Sequence, residues 1–340
     1  MRRSAAARTS VAALAGLSLL LTACGPGGEA SSASSTSPSE GLIDIVASTN
    51  VYGDIARSVG GDKVNVSAII TKTSQDPHSY EATAQDRLVV SKADLVIENG
   101  GGYDGFVDKM AEDSNISHES ILTAVEISGL APEEEADHAP ASDAPATGAA
   151  ATEPADEHGH DEHGEFNEHV WYSLDAMGKL ADALAAKLGE LEPGSAATFT
   201  ANADTFKSSL DGLAAKLAAL KAAGGAGAPV AVTEPVPLYL LEAAGLENQT
   251  PADYSAAIEE GTDVPPAVLK AATDLAGSKD IRFLAYNDQT EGPQTEALKK
   301  AAEAAGVPVI DFSETLPEGK TYLQWMTDNV DNVSKVLEKK

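Results

Sequence analysis

Short apolar runs alternate with longer segments of helical periodicity through most of the chain. In the first half, strands are predicted at residues 43–47, 64–70 and 95–97, and helices at 51–59 and 83–92. Thr49 or Asn50 is expected to cap the first helix, because short polar side chains accept hydrogen bonds from a helix's first amides. This alternation of strand and helix predicts βα units and a parallel sheet.

The same rhythm returns in the last third of the chain. Strands are predicted at residues 230–233, 281–286 and 307–312, and helices at 237–244, 293–305 and 323–337. Between the two sets lie a helix at 174–191 and a longer one at 195–223, whose apolar residues form one stripe. We therefore expect an α/β protein with two lobes, at 42–173 and 228–340, joined by linking helices at 174–227.

The N-terminus has the composition of an export signal. Basic residues at positions 2, 3 and 8 flank an apolar run at 11–21 that is too short to span a bilayer. The only cysteine of the chain, Cys24, follows where a lipobox places the lipidated residue. We expect a signal peptide with lipobox at 1–23, a lipid on Cys24 and a flexible tether at 24–41. An ordinary signal peptide with a chance cysteine is the alternative.

Charge and composition exclude some kinds of partner and favour others. The net charge of −30 argues against nucleic acids as partners and suits a cation. Residues 132–166 have too few apolar side chains to fold and predict a disordered acidic loop that carries His138, His158, His160 and His163. The last three histidines either capture metal for a main site or are incidental parts of a solvated linker.

Two short motifs carry the strongest candidate chemistry. The motifs Asp76-Pro77-His78-Ser79-Tyr80 and Glu168-His169-Val170-Trp171 are each expected to end a strand and to present one imidazole from a loop. Glu234 and Asp288 also follow predicted strands, and ligands of open α/β sheets bind outside the carboxyl ends of strands. Imidazoles and carboxylates bind divalent transition metals, so we predict a metal site in one cleft between the lobes.

These motifs resemble a known family. The stretch 47–56, the His78 motif, residues 91–96 with Asn99-Gly100, and the His169 motif resemble zinc- and manganese-specific ABC-transporter solute-binding lipoproteins. The similarity covers roughly residues 42–338. It implies two α/β lobes with parallel sheets, joined by one long rigid backbone helix, with the metal clamped in the interlobe cleft.

The resemblance also implies a ligand set. His78 is the first ligand and His169 the second. Glu234 is the third, at a position where zinc members usually have histidine and manganese members often have glutamate. Trp171 is expected to pack behind these ligands and exclude water from the site.

The fourth ligand position falls in the loop after the predicted strand 281–286. The nearest register puts Thr290 there, where many relatives have aspartate. Asp288, Glu291 or a water molecule would then complete the site. Asp311 also follows a strand, but we expect it to be a surface residue.

The expected function is capture of Zn²⁺ outside the cytoplasm and its delivery to an ABC-transporter permease, with Mn²⁺ as the alternative ion. The His-rich loop favours zinc, whereas Glu234 favours manganese. A zinc metalloenzyme uses similar ligands, but the chain has no His-Glu-x-x-His sequence, and we predict no enzymatic activity. A surface adhesin is a distant alternative. We expect a monomer that is lipid-anchored to the outer face of the cytoplasmic membrane.

Overall fold

The computed structural model describes residues 41–132 and 166–338. The predicted signal peptide, Cys24, and His138, His158, His160 and His163 lie outside these residues. None of the helices within the two described ranges is long and apolar enough to cross a membrane.

The N-terminal lobe is built on a four-stranded parallel sheet. Its elements are β1 (Ile43–Thr49), α1 (Asn50–Gly60), β2 (Val64–Ile70), α2 (Ala84–Val90), β3 (Leu95–Glu98), α3 (Phe106–Asp113), β4 (Ile121–Thr123) and α4 (Ala124–Ser128). The strand order is β2-β1-β3-β4. In the central strand, Ile45 pairs with Val66 on one side and Leu95 on the other. The two central strands, β1 and β3, are largely buried because helices cover both faces.

The C-terminal lobe repeats this topology. Its elements are β5 (Ala228–Val232), α7 (Leu238–Ala243), β6 (Leu246–Asn248), α8 (Ala252–Glu259), α9 (Pro266–Ala276), β7 (Leu284–Asn287), α10 (Pro293–Ala305), β8 (Val309–Phe312) and α11 (Tyr322–Leu337). The strand order is β6-β5-β7-β8, again fully parallel. In both sheets the strand order therefore reverses between the two central strands, at a topological switch point, and ligands of such sheets bind there.

Two helices link the lobes, α5 (Leu174–Leu191) and α6 (Ala196–Leu220). The apolar stripe of α6, from Phe199 to Leu217, is buried. It packs against α1 and α5 of the N-terminal half and against α7 and α11 of the C-terminal lobe. One continuous apolar core consequently runs through both lobes. The predicted fold class, two parallel-sheet lobes joined by a long helix, is confirmed.

Hydrogen bonds also join the lobes directly. The Asn50 side-chain amide donates to the Leu316 carbonyl at 2.8 Å and accepts from the Leu316 N–H at 2.9 Å. The Tyr322 N–H donates to the Asp54 carboxylate at 2.8 Å, and the Tyr322 hydroxyl donates to the Trp171 carbonyl at 2.7 Å. Asn50 is therefore used between the lobes rather than as a cap of α1. Thr49 occupies the N-cap position without a side-chain capping bond.

Six elements were not predicted, namely α3, β4, α4, β6, α8 and α9. One further expectation was wrong. The His169 motif does not end a strand: residues 166–169 are irregular and lead into a 3₁₀ turn at Val170–Tyr172. The reason is local, because the Asn167 side-chain oxygen accepts the His169 N–H at 3.1 Å and so competes with strand pairing.

Candidate metal centre

His78 is presented by the loop between β2 and α2. The Asp76 carboxylate shapes this loop by accepting the His78 N–H at 2.9 Å and the Ser79 hydroxyl at 2.7 Å. The His78 side chain remains 28% exposed. Burial lowers the pKa of His78, although the charge of Asp76 opposes the shift. The imidazole is therefore favoured in the neutral form that binds metals.

His169 is buried on the same wall of the cleft as His78. Its Nδ1 lies 2.8 Å from Asn167 Oδ1, which also accepts the His169 backbone N–H. Because an amide oxygen can only accept, the ring proton is assigned to Nδ1, and Nε2 keeps its lone pair for a ligand. Burial lowers the pKa of His169 well below its ordinary value, and the neighbouring His78 lowers it further.

The two imidazoles meet, as the sequence predicted, with ring centroids 6.2 Å apart. Tyr103 lies against both, at 4.9 Å from the His78 ring and 5.9 Å from the His169 ring. Trp171 packs 5.1 Å from His169 and 4.6 Å from Tyr103. Tyr103 and Trp171 are both 1% exposed, so they form a dry aromatic wall behind the imidazoles.

Two carboxylates that were not predicted as ligands lie next to the imidazoles. Glu168 Oε1 is 3.8 Å from His78 Nε2, and Glu259 Oε1 is 3.8 Å from His169 Nδ1. One ligand atom from each of these four side chains lies within 4.8 Å of the others. We call Glu168 and Glu259 the outer carboxylate pair. Glu259 ends α8, so the donor set draws on both lobes.

Glu234 lines the same cavity, which has a volume of about 440 Å³ and also borders His78 and His169. It follows β5 by two residues and is buried. Its Oε2 accepts from Asn287 Nδ2 at 2.6 Å and from the Thr290 hydroxyl. Burial raises the pKa of Glu234 to about 7, against the opposing hydrogen bonds from Thr290 and Asn287.

The remaining candidates for the fourth ligand lie farther out. Asp288 is exposed and does not line the cavity. Glu291 lines its rim with a 56% exposed side chain, 3.8 Å from Lys299. Asp311 is exposed and lies 3.7 Å from the same lysine. Thr290 is engaged with Glu234, so the predicted loop brings no carboxylate into the cavity interior.

A further acidic residue of the cavity, Glu314, was not predicted. It follows β8 by two residues, lines the cavity and is only 4% exposed. Burial raises the pKa of Glu314 to about 8, and the negative charge of Glu234 adds to the shift. Like Glu234, Glu314 follows a parallel strand, so the rule that selected Glu234 could also have predicted Glu314.

Comparisons with known proteins agree with this architecture. The family model described as zinc-uptake complex component A periplasmic (ZnuA) matches residues 45–336. The manganese ABC transporter substrate-binding lipoprotein scaA of Streptococcus gordonii is 24% identical over 339 residues, which cover 94% of this chain and 97% of that protein.

Solved structures show the same fold. The periplasmic zinc-binding protein TroA of Treponema pallidum matches with a TM-score of 0.66 at 19% identity, covering 87% of this chain and 99% of TroA. FpvC of Pseudomonas aeruginosa, solved in complex with Mn²⁺, matches with a TM-score of 0.64 at 21% identity, covering 88% of this chain and 99% of FpvC.

The names of these proteins include both zinc and manganese, so they share divalent metals rather than one ion. The family match extends over most of the chain, including both lobes. The chain therefore belongs to the ZnuA family of extracytoplasmic lipoproteins and periplasmic binding proteins, which are not enzymes and capture a divalent metal for import by ABC transporters.

Proposed function

We propose that this protein captures Zn²⁺ outside the cytoplasm and delivers it to the membrane permease of an ABC importer. The observation that supports this proposal is the meeting of His78 and His169 with carboxylates from both lobes within 4.8 Å. A site of two neutral imidazoles and one or two carboxylates binds zinc in preference to magnesium and calcium, which favour oxygen ligands alone.

The ion is proposed to bridge the lobes. His78 and His169 supply nitrogen ligands from one wall of the cavity, and Glu234 supplies an oxygen ligand from the other. Glu259 enters from the same lobe as Glu234 and is the competing carboxylate. An ion held from both sides stabilises one arrangement of the cavity, which a permease can distinguish from the metal-free one.

Mn²⁺ is the competing cargo. A glutamate at position 234 suits the harder manganese ion, and scaA is named for manganese. However, divalent zinc binds more tightly than manganese to most nitrogen- and oxygen-containing sites. The test is to strip the soluble form, residues 25–340, offer equimolar Zn²⁺ and Mn²⁺, and count the bound ions by mass spectrometry.

Matched variants make this test specific. Retention of one zinc ion by wild type and its loss in His78→Ala and Glu234→Gln would support the proposal. Asp311→Asn is the control, because it removes an exposed carboxylate from the same lobe. Manganese retained against zinc would reverse the choice of ion. Tight zinc binding by His78→Ala would contradict the proposed site.

Membrane attachment is proposed to depend on Cys24. In an organism with one membrane, the lipid would hold the protein on the outer face of the cytoplasmic membrane as a monomer beside its permease. Cys24→Ala is expected to release the protein into the culture medium, as measured by immunoblotting. A variant that stays with the membrane fraction would contradict the anchor.

An auxiliary role is proposed for His158, His160 and His163 as weak zinc ligands that raise the local metal concentration. Deletion of residues 132–166 is expected to slow zinc uptake at low zinc while leaving the main site at one ion per chain. Unchanged uptake would contradict metal capture by these histidines.

A further inference from the structure

We propose that the outer carboxylate pair, Glu168 and Glu259, forms with His78 an entry position that holds the incoming ion before it passes inward. The final position is the one proposed above, on His78, His169 and Glu234, so the inference rests on the proposed function. His78 belongs to both positions and passes the ion from one to the other. The outer carboxylate pair then sets how fast the metal binds rather than how tightly.

A second cavity, here called the outer cavity, adjoins the metal cavity. Its volume is about 460 Å³. Its lining includes Asp76, His78, Glu168, Glu259 and Glu260. His78 and Glu259 line both cavities, whereas His169 and Glu234 line only the metal cavity. The two cavities therefore meet at His78 and Glu259, and an ion in the outer cavity reaches these side chains first.

Solvent exposure falls from the entry position to the final one. The side chains of His78, Glu259 and Glu168 are 28%, 19% and 12% exposed. His169 and Glu234 are 1% and 4% exposed. Removing a charge from water without compensation is costly. Partly exposed ligands at the entry position let the ion exchange its water molecules in steps before it reaches the buried site.

The three side chains are spaced for one ion. Glu168 Oε1 lies 3.8 Å from His78 Nε2. Both residues also have a ligand atom within 4.8 Å of one on Glu259. A zinc ion with bonds of about 2.0–2.2 Å separates its ligand atoms by roughly 3–4 Å, so a small movement of Glu259 completes the position.

The outer carboxylate pair approaches His169 at the nitrogen that does not bind metal. Glu259 and Glu168 lie 3.8 and 3.9 Å from His169 Nδ1. The hydrogen bond to Asn167 Oδ1 assigns the ring proton to this atom. The lone pair of Nε2 points away from Nδ1 and remains for the final position. Glu168 and Glu259 are therefore better placed to share an ion with His78 than with His169.

Charge draws a cation into the outer cavity. Four of its lining residues are carboxylates, and no lysine or arginine of residues 41–132 and 166–338 lines it. A cleft lined by one sign of charge raises association rates by about 10- to 1000-fold. The test therefore has to separate ligation by the outer carboxylate pair from a general effect of negative charge.

The experiment measures the rate and the equilibrium of zinc binding separately, in wild type and in the double variant Glu168→Gln/Glu259→Gln. Stopped-flow tryptophan fluorescence follows association, because Trp171 lies 5.1 Å from His169. Chelator competition gives the Kd. We expect the double variant to bind zinc about 10-fold more slowly. Its Kd should be unchanged, because an entry position speeds binding and release equally.

Asp263→Asn/Asp311→Asn is the matched control, since it removes the same charge from two exposed carboxylates of the C-terminal lobe. It should keep the wild-type rates. Equal slowing in the control would make the effect one of general charge and would overturn the entry position. An unchanged association rate in Glu168→Gln/Glu259→Gln would also overturn it.

The outcomes separate this inference from the proposed function. If Glu168→Gln/Glu259→Gln loses equilibrium affinity, the pair belongs to the final site, the entry position is refuted and the proposed function stands. If wild type binds no zinc, the proposed function itself fails.

Should the double variant not fold, zinc-soaked crystals of Glu234→Gln decide, because this substitution weakens the final position. An ion about 2.0–2.2 Å from His78 and from an oxygen of Glu168 or Glu259 supports the inference. An ion bound without either carboxylate, or the absence of an ion, overturns it.

Discussion

Asn167 connects the His169 imidazole to the opposite lobe, and its replacement by alanine tests how far metal affinity depends on residues behind the ligands. Its side-chain oxygen accepts from His169 Nδ1 at 2.8 Å and from the His169 N–H at 3.1 Å. Its side-chain nitrogen donates to the carbonyl of Pro235, next to Glu234, at 3.1 Å. Asn167→Ala removes all three hydrogen bonds.

The size of the effect follows from these contacts. Each hydrogen bond contributes about 0.5–1.5 kcal/mol, so the loss of three should lower the free energy of unfolding of the metal-free protein by about 1.5–4.5 kcal/mol. A group that fixes the orientation of a ligating histidine is typically worth about 10- to 100-fold in metal affinity. This corresponds to about 1.4–2.7 kcal/mol of binding free energy.

The assay is zinc titration against a chromogenic chelator, together with urea unfolding of the metal-free protein. Asn202→Ala is the matched control, because the Asn202 amide donates to the Val59 carbonyl at 2.9 Å away from the cavity. It should lose some stability and no zinc affinity. Asn167→Asp keeps an acceptor for the imidazole and should recover most of the affinity. If Asn167→Ala bound zinc as tightly as wild type, the reasoning would be refuted.

Three further predictions concern pH, packing and metal. Burial, with Asp108 adding to it, raises the pKa of Glu98 to about 8, above the ordinary value of 4.5 that applies when the chain is unfolded. Between these two pH values the folded state holds a proton that the unfolded state has lost, so the free energy of unfolding falls as pH rises through this window. Glu98→Gln should raise the free energy of unfolding at pH 8 by about 1–3 kcal/mol, as measured by urea unfolding, and should flatten its dependence on pH. Gly225→Ala should lower the melting temperature, because the new Cβ would lie 2.5 Å from a backbone oxygen. Gly212→Ala is the contrasting variant, because its Cβ would meet open space, and it should raise the free energy of unfolding by about 0.5–1 kcal/mol. Zinc at about 100 times its Kd should stabilise wild type by about 2.7 kcal/mol, and a similar gain for His78→Ala in calorimetry would contradict the proposed site.

The regular parts of the fold could be predicted from the sequence because their signals are local. The strand at 64–70 and the helices at 174–191 and 293–305 have the predicted bounds. Thr83 starts α2 through a reciprocal capping box with Asp86, which fixes the first turn from within. Where an element is short, as in α8 and β6, too few residues repeat to give a periodicity, and tertiary packing decides the structure.

The candidate site likewise contains some residues that could be predicted from the sequence and others that could not. The meeting of His78 and His169 could be predicted, because each belongs to a recognisable motif of the family that the sequence resembles. Glu259 could not be predicted, since it depends on where α8 ends and on how α8 faces the other lobe. Glu314 could have been predicted by the rule that selected Glu234, because it also follows a parallel strand by two residues.

The connections between the lobes limit how metal binding can change the protein. A wide hinge opening would break the bonds of Asn50 to Leu316 and of Tyr322 to Asp54, and would expose apolar side chains of the shared core. Opening would cost about 1 kcal/mol for each lost hydrogen bond, plus the free energy of exposing apolar area to water. A local rearrangement around the ion avoids both costs. The segment from Glu259 to Gly261, at the end of α8, borders the cavity, and the Glu259 carboxylate lies 3.8 Å from His169 Nδ1 of the other lobe. We therefore expect small-angle scattering curves of the metal-free and zinc-loaded forms to superimpose, while amide exchange slows at the end of α8. A clear compaction on zinc binding would show instead that the lobes move as rigid bodies.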